Sequence, residues 1–254
     1  MTKSAISLIM INYNRAAYLP AALDSVIKQS DPNWELIIVD DASTDDSLEI
    51  IKPYLSDTRI KLFQNPKNLG IGRSRIRAVS QTTASIVGII DSDDALDKRA
   101  AEEMIKAHTE HQQVLIYSQL MICDANLQPL RPGTNGPINA GESNLTKQVI
   151  SHFFTFKKSA YEAVGGYDPF FSPAEDKDLF YKLEEVGDSL FIDKILYYYR
   201  LNPQSASNYG WKKIRARGLY FIAKYQAYRR RKKTASSKRI KFRQLFPLKY
   251  FKKN

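Results

Sequence analysis

Short apolar runs alternate with segments of helical periodicity through the first half of the chain. Runs rich in Ile, Val and Leu predict buried strands at residues 6–11, 36–39, 60–63, 86–90 and 114–122. Apolar residues spaced three or four apart predict helices at residues 16–28, 43–55, 70–80 and 102–110. This alternation predicts an α/β fold, with a mostly parallel sheet and helices on both of its faces.

The second half of the chain has a weaker pattern. Residues 127–141 are rich in Pro, Gly and Asn and predict a loop, and residues 165–169 predict a tight turn. A helix is predicted to open at Glu175 with an acidic first turn, which suits the helix dipole. An amphipathic helix is predicted at residues 218–231, with Leu219, Ile222, Ala223 and Tyr225 near one face. We therefore expect a regular half followed by a less regular half.

Polar residues follow three of the predicted strands at the points where these strands end. In chain order they are Asn12, Tyr13, Asn14, Asp40, Asp41, Asp91, Ser92, Asp93 and Asp94. Because the carboxyl ends of parallel strands meet at one edge of a sheet, these residues are predicted to converge there, where such sheets bind ligands.

The run from Asp91 to Asp94 allows two interpretations. Three carboxylates this close repel one another unless a cation lies between them, and Mg²⁺ takes oxygen ligands from carboxylates and substrate phosphates. Alternatively, the Asp side chains cap a helix that begins near residue 97. This segment alone favours neither interpretation.

The composition narrows the class of protein. Cys123 is the single cysteine of the 254 residues, which excludes an internal disulfide and leaves a reducing cytoplasm as the expected compartment. His108, His111 and His152 are scattered and are interpreted as surface or packing residues rather than zinc ligands. No stretch approaches the ~20 apolar residues that a membrane span needs, and the apolar run at residues 6–11 is too short for a signal peptide.

The net charge of +11 is unevenly distributed. From Lys194 onward there are 19 Lys and Arg and no Asp or Glu, so residues 1–193 carry the other 19 basic groups and all 27 acidic ones, a net charge of −8. Residues 211–254 combine 17 Lys and Arg with nine aromatic residues. This tail is predicted to dock on an anionic membrane surface. The alternatives are a solvated or disordered tail and a nucleic-acid-binding tail, but the acidic body argues against nucleic acid.

Several short motifs in a fixed order resemble the family-2 inverting glycosyltransferases with a GT-A fold, over about residues 4–207. The motifs are Asn12-Tyr13-Asn14, Asp40-Asp41, Asn68-Leu69-Gly70, Asp91-Ser92-Asp93-Asp94, Gly165-Gly166-Tyr167-Asp168 and Glu175-Asp176-Lys177-Asp178. The resemblance implies a Rossmann-like nucleotide-binding half at about residues 1–123 and an acceptor half at about residues 124–209. Residues 210–254 are then a basic helical extension.

The resemblance also implies roles for individual residues. Asp41 contacts the nucleotide base with Asp40 beside it, and Tyr13 and Asn14 lie beneath the nucleotide. The stretch Asp91-Ser92-Asp93 matches the DXD motif, in which the first Asp faces the ribose and the last binds Mn²⁺ or Mg²⁺. Asp176 matches the catalytic base. The supporting residues are Asp94, Glu175 and Asp178.

Two segments depart from the family pattern. Where members often have Ala-Arg-Asn, this chain has Ser74-Arg75-Ile76, so that Arg75 keeps the cation for the nucleotide and the amide is lost. Where members often have Tyr-Arg-x-His, this chain ends in Asn202, which can supply an oxygen in place of the histidine. Arg200 is either a phosphate contact or a structural ion-pair partner.

The combined expectation is a metal-dependent inverting glycosyltransferase that uses a nucleotide-diphosphate sugar, and the expected donor is a UDP-sugar. A metal stabilises the diphosphate leaving group, and a carboxylate takes the proton of the acceptor hydroxyl. The acceptor is expected to be a glycan or lipid-linked glycan of a bacterial surface polysaccharide, capsule or lipopolysaccharide, at the inner face of the cell membrane. The alternative is a non-catalytic module that binds a nucleotide sugar or a polyanion.

Overall fold

The computed structural model of the chain describes residues 4–202 and 210–233. Its strands are β1 (Ile6–Asn12), β2 (Trp34–Asp40), β3 (Ile60–Gln64), β4 (Ile86–Asp91), β5 (Ala95–Leu96), β6 (Leu115–Cys123), β7 (Pro129–Pro132), β8 (Phe154–Lys157) and β9 (Ser189–Arg200). Its α-helices are α1 (Leu19–Ile27), α2 (Ser47–Ile51), α3 (Ile71–Ser80), α4 (Ala100–Glu110), α5 (Asn144–Lys147), α6 (Lys158–Ala163), α7 (Glu175–Val186) and α8 (Gly210–Lys233). Short 3₁₀ turns lie at Lys52–Ser56 and Pro169–Phe171.

The strands form one sheet in the order β3-β2-β1-β4-β8-β6-β9-β5, and β7 pairs with β6. Strands β3, β2, β1 and β4 run parallel to one another, and β6 and β9 form a second parallel pair. Strand β8 runs antiparallel to both β4 and β6 and joins the two parallel groups. The predicted α/β class with a mostly parallel sheet is confirmed.

The sheet is buried on both faces, which explains why its central strands are continuous apolar runs. Along β1, Ile6, Leu8 and Met10 face a core that contains residues of α1 and α4. Ile9 faces the other side, where the core contains residues of α3, α6 and α7. Full burial of one such side chain stabilises the fold by about 1.5–3 kcal/mol relative to exposure.

The parallel register brings the polar strand ends to one edge of the sheet, as predicted. Asn12 lies opposite Asp40 across β1 and β2, and Ile11 lies opposite Asp91 across β1 and β4. The loops that follow these three strands therefore open on the same side of the molecule.

The second half is less regular than the first, since its strands mix antiparallel and parallel pairing and shift register. Strands β8 and β9 continue the same sheet, and β7 lies inside the segment predicted as a loop. Strand β9 is hard to recognise because exposed Asp193 and Lys194 interrupt its apolar residues, and the pairing with β6 shifts register between Ser118 and Leu120.

In the first half, the predicted helix at residues 43–55 begins only at Ser47 and becomes a 3₁₀ turn at Lys52, next to Pro53.

Helix α8 packs along α7. The helix predicted at residues 218–231 is confirmed and extends further at both ends. Leu219, Ala223 and Ala227, spaced four apart, are buried, whereas Ile222 and Tyr225 are exposed, so the predicted single apolar face is wrong. Residues 234–254 and the proposed boundary at residue 209 lie outside the described residues. None of the described helices combines the length and the apolar character that crossing a membrane requires.

Candidate active site

The loops after β1 and β2 are built around Asp40. This carboxylate is buried and accepts hydrogen bonds from Asn12 Nδ2 at 2.8 Å and from the backbone N–H of Ser43 at 2.9 Å. Ser43 Oγ in turn accepts from the backbone N–H of Asn14, whose φ is +52°. These bonds hold Tyr13, which is 43% exposed, at the edge of the sheet where β1 and β2 end.

Asp41 anchors the turn that leads into α3. Its carboxylate accepts hydrogen bonds from the backbone N–H groups of Leu69 and Gly70, each at 2.8 Å, and from Asn65 Nδ2 at 2.6 Å. Gly70 has a φ of +83°, a conformation that a side chain disfavours. Asp41 is thus buried and bonded within the protein, and its predicted contact with a nucleotide base stays a prediction.

In the turn after β4, the carboxylates of Asp91 and Asp93 contact different partners. Asp93 Oδ2 lies 3.2 Å from Arg15 Nε and 3.2 Å from Asn202 Nδ2. Asp91 faces the other way, with one oxygen 3.3 Å from Arg75 Nη2. Ser92 between them is buried. The alternative in which these Asp residues cap a helix near residue 97 is wrong, because α4 begins at Ala100 and β5 intervenes.

Asp94 is buried behind this turn. It accepts hydrogen bonds from the backbone N–H of Arg200 at 2.7 Å and from the hydroxyl of Tyr197 at 2.8 Å. Burial, together with the charges of Asp91 and Asp93, raises the pKa of Asp94 to about 8. The end of β4 therefore holds more negative charge than its surroundings readily stabilise.

His152, interpreted from the sequence as a surface or packing residue, also lies at the end of β4. Its Nδ1 lies 3.2 Å from Asp91 Oδ2. Burial lowers the pKa of His152, but the hydrogen bond and the charge of Asp91 outweigh this and raise it overall. The same pairing holds the pKa of Asp91 below its usual range despite burial. His108, by contrast, is buried against Thr155 in the core, and His111 is exposed.

Arg75 connects the end of β4 to the start of α7. Its guanidinium is buried and contacts Glu175 Oε1 at 2.8 Å, the carboxylate of Asp176, and Asp91. Burial lowers the pKa of Arg75, but the charges of Asp176 and Glu175 outweigh it and raise the pKa well above its usual value. Asp176 also lies 3.4 Å from the hydroxyl of Tyr167 and keeps 24% of its side chain exposed.

Glu175 is the buried neighbour of Asp176. Burial and the charge of Asp176 raise its pKa to about 7, although Arg75 lowers it. Asp178 points away from this cluster and forms an ion pair with Lys182 at 2.6 Å. The acidic start of α7 thus contains two kinds of carboxylate. Glu175 and Asp176 contact Arg75, whereas Asp178 binds Lys182 of the same helix.

The last predicted residues lie behind the β4 turn. Arg200 donates from Nε to the backbone oxygen of Asp93 at 2.6 Å, and its guanidinium lies 4.9 Å from the ring centre of Tyr18. Asn202 is buried beside Asp93. Both residues thus contact the turn after β4, and their roles toward a ligand stay predictions.

Comparisons with known proteins show which family the sequence belongs to. The sequence model of "Glycosyl transferase family 2" matches residues 7–171. The chain belongs to glycosyl transferase family 2. Membership of this family favours an enzyme over the non-catalytic alternative.

The chain is similar to the chondroitin synthase of Escherichia coli, with 29% identity over 203 residues. That match covers 80% of this chain but 30% of the synthase, so the chain spans less than a third of that relative. It also resembles S. aureus TarS 1–349 in complex with UDP-GlcNAc, with a TM-score of 0.78, 20% identity and coverage of 96% of this chain and 70% of that one.

A second solved structure is the mannosyltransferase PcManGT from Pyrobaculum calidifontis in complex with GDP-Man and Mn²⁺. Its TM-score is 0.63 at 15% identity, with coverage of 93% of this chain and 77% of that one. At these identities the two structures establish the fold alone. The expected GT-A fold is confirmed.

The residues at the end of β4 fit a divalent cation. One ligand atom from each of Asp91, Asp94 and His152 lies within 4.8 Å of the others. Carboxylate oxygens suit Mg²⁺ and Mn²⁺, and an imidazole nitrogen suits transition metals. The resemblance pointed to Asp93 as the ligand, and this stays a prediction.

Proposed function

We propose that this protein moves a sugar from a nucleotide-diphosphate donor to an acceptor hydroxyl with inversion at the anomeric carbon. One observation carries this proposal. Arg75 contacts both Asp91, at the DXD turn, and Asp176, at the start of α7. A donor diphosphate at the turn and an acceptor at Asp176 would then be only one guanidinium apart, and a direct displacement needs donor and acceptor to be held close together.

In this mechanism Asp176 is the general base. The acceptor oxygen forms a bond to the anomeric carbon while the bond from that carbon to the diphosphate oxygen breaks, and the hydroxyl proton passes to Asp176. A single displacement from the opposite face inverts the configuration. Asp176 suits this role because it is partly exposed, whereas its neighbour Glu175 is buried. A positioned base contributes typically ~10²–10⁴-fold.

We propose that a divalent cation, Mn²⁺ or Mg²⁺, binds at the carboxylates of the β4 turn. When bound, it would stabilise the negative charge of the departing diphosphate as a Lewis acid. The protein's own residues hold the turn in place, since Tyr197 and the backbone of Arg200 fix Asp94, and Arg15 and Asn202 fix Asp93. The solved structure of PcManGT with Mn²⁺ supports this assignment.

We propose a UDP-sugar as donor and a bacterial surface glycan, or its lipid-linked precursor, as acceptor. Similarity to TarS in complex with UDP-GlcNAc supports the donor class, and similarity to a chondroitin synthase supports the acceptor class. A panel of UDP- and GDP-sugars, screened for thermal stabilisation with and without Mn²⁺, tests the donor. We expect UDP-sugars to raise the melting temperature more than GDP-sugars do, and more with Mn²⁺ than without.

The stereochemistry has its own measurement. With the identified donor and a glycan acceptor, ¹H NMR of the first product formed should show the anomeric configuration opposite to that of the donor. Retention of configuration would contradict the role of Asp176 as the base of a single displacement. The proposed transfer would be contradicted if the enzyme only hydrolysed the donor and no acceptor received the sugar in place of water.

We also propose that α8 holds the protein at the anionic inner face of the cell membrane. Ile214, Phe221, Ile222 and Tyr225 are exposed on this helix. Exposed basic residues flank them, namely Arg215, Arg217, Arg229 and Lys232. Apolar side chains beside Lys and Arg suit the lipid interface, and each basic residue near an anionic surface adds about 1 kcal/mol.

Vesicle sedimentation tests this surface with the full chain. We expect Phe221→Ser with Tyr225→Ser to reduce binding to anionic phospholipid vesicles several-fold at low salt. Leu130→Ser, on exposed β7, is the matched control and should bind as the unchanged protein does. Equal binding of all three proteins, or equal binding to neutral vesicles, would remove α8 from the proposal.

A further inference from the structure

His152 lies at the candidate site although no motif predicted it there. It precedes β8, which runs antiparallel to β4 with Gly88 opposite Thr155. This pairing carries the chain segment before β8 past the carboxyl end of β4, 61 positions away from Asp91 in sequence. There Nδ1 of His152 lies 3.2 Å from Asp91 Oδ2, with about a third of the side chain still exposed.

The imidazole is held in a defined orientation. It stacks on the ring of Tyr199, with ring centres 5.1 Å apart and planes 14° apart, and lies 5.7 Å from the ring of Tyr197 at 11°. The hydroxyl of Tyr197 accepts from the backbone N–H of Asp91 and donates to Asp94. One tyrosine therefore contacts the backbone of Asp91, the carboxylate of Asp94 and the ring of His152, and such outer contacts orient metal ligands.

The donor set has a chemical preference. Two carboxylate oxygens and one imidazole nitrogen come within 4.8 Å of one another. Mg²⁺ prefers oxygen ligands in a near-ideal octahedron, whereas Mn²⁺ and its neighbours in the transition series also accept imidazole. A nitrogen ligand at this position would favour Mn²⁺ over Mg²⁺.

We propose that His152 supplies a ring nitrogen to the divalent cation, together with oxygens from Asp91 and Asp94, and that this ligand makes the site prefer Mn²⁺ to Mg²⁺. The inference rests on the proposed function, since it concerns the cation proposed there. It adds a residue and a metal preference that the resemblance does not provide.

Pulsed electron paramagnetic resonance of Mn²⁺ bound to the full chain tests the ligand directly. We expect nitrogen modulation from an imidazole, with frequencies that change when the protein is prepared with ¹⁵N-labelled histidine. The spectrum is recorded with Mn²⁺ alone and with Mn²⁺ plus UDP. This arm needs no substitution, so it does not depend on the stability of a variant.

A matched pair of variants assigns the signal to one residue. His152→Gln should abolish the nitrogen modulation and weaken Mn²⁺ binding about 10–100-fold, while Mg²⁺ binding changes less. His111→Gln, at an exposed position, should leave both unchanged.

The two failures are distinguishable. Mn²⁺ binding without nitrogen modulation, or modulation that survives His152→Gln, would overturn the role of His152 while leaving the proposed function standing. Equal losses of Mn²⁺ and Mg²⁺ affinity in His152→Gln would overturn the selectivity. If Mn²⁺ binds in neither condition, the cation itself fails, and this inference fails with it.

Discussion

The two ends of α7 each place carboxylates against a buried arginine, but the arrangements differ. At the start, Arg75 serves Glu175, Asp176 and Asp91 at once. At the end, Glu184 accepts from Arg231 Nη2 at 2.9 Å, from Ser143 Oγ at 2.8 Å and from the backbone N–H of Asn144 at 2.7 Å. At the start of α7 several carboxylates share one cation, Arg75. At its end several hydrogen-bond donors share one carboxylate, Glu184.

This difference separates a candidate site from scaffold. Both oxygens of Glu184 accept hydrogen bonds, whereas within residues 4–202 and 210–233 the buried Oε2 of Glu175 has no hydrogen-bond partner. Burial and the charge of Asp176 raise the pKa of Glu175 to about 7. Incomplete compensation of buried charge is typical of sites that bind a ligand or transfer a proton.

The largest expected effect is on catalysis. Asp176→Asn keeps the shape of the side chain but removes the base, so transfer should slow about 10²–10⁴-fold, while thermal stabilisation by the donor persists. Glu185→Gln, at the other end of α7, is the matched control and should retain activity. If Asp176→Asn transferred sugar at the unchanged rate, the base would have to lie elsewhere and the contrast between the two ends would collapse.

Substitutions at the end of α7, around Glu184 and Arg231, should change the stability of the fold rather than the activity. Arg231→Met leaves Glu184 buried without its cation, so the free energy of unfolding should fall by about 3–5 kcal/mol in urea titrations. Activity per folded molecule should stay unchanged, because Arg231 binds Ser143, Tyr181 and Glu184, away from Asp176.

A second variant shows whether charge is the cause. Adding Glu184→Gln to Arg231→Met removes the uncompensated carboxylate and should recover part of the lost stability. If the double variant is no more stable than Arg231→Met, the loss arises from packing around α8 rather than from the buried charge.

The sequence predicted the half of the fold whose strands are buried on both faces. Continuous apolar runs located β1 to β4, and parallel pairing then brought Asp40 and Asp91 to one edge. The pairing of Arg75 with Asp176 and of His152 with Asp91 could not be predicted in this way. Both depend on where α7 and β8 lie against the sheet, and β8 has too few residues to produce a pattern. Recognition of β8 as an antiparallel neighbour of β4 would have pointed to His152.

A shifted pKa is not by itself the mark of a site, and His108 in the scaffold shows why. Burial, with a smaller effect from Lys157, lowers its pKa to about 4 from 6.5. Because the unfolded chain takes up the proton first, the free energy of unfolding should fall as the pH is lowered from about 6.5 to about 4, by about 3 kcal/mol.

His108→Gln should remove that part of the pH dependence, as measured by urea unfolding between pH 4 and pH 7.5. The exposed His111 provides the control, and His111→Gln should unfold with the same pH dependence as the unchanged protein. A His108→Gln profile that matches the unchanged protein would mean that the histidine is protonated inside the fold.

The smallest effect compares the two arginines directly. Lysine keeps the charge but has a single ammonium in place of the planar fork, so Arg75→Lys cannot contact Asp91, Glu175 and Asp176 together. Loss of one charge-assisted hydrogen bond costs about 1.5–3 kcal/mol, and we expect kcat/KM to fall about 10–100-fold while the protein stays folded. Arg231→Lys should leave kcat/KM unchanged, since Ser143 and Asn144 still bind Glu184. Equal activities of the two lysine variants would mean that Arg75 holds α7 in place as Arg231 does, and that Asp176 and the turn after β4 need no shared cation.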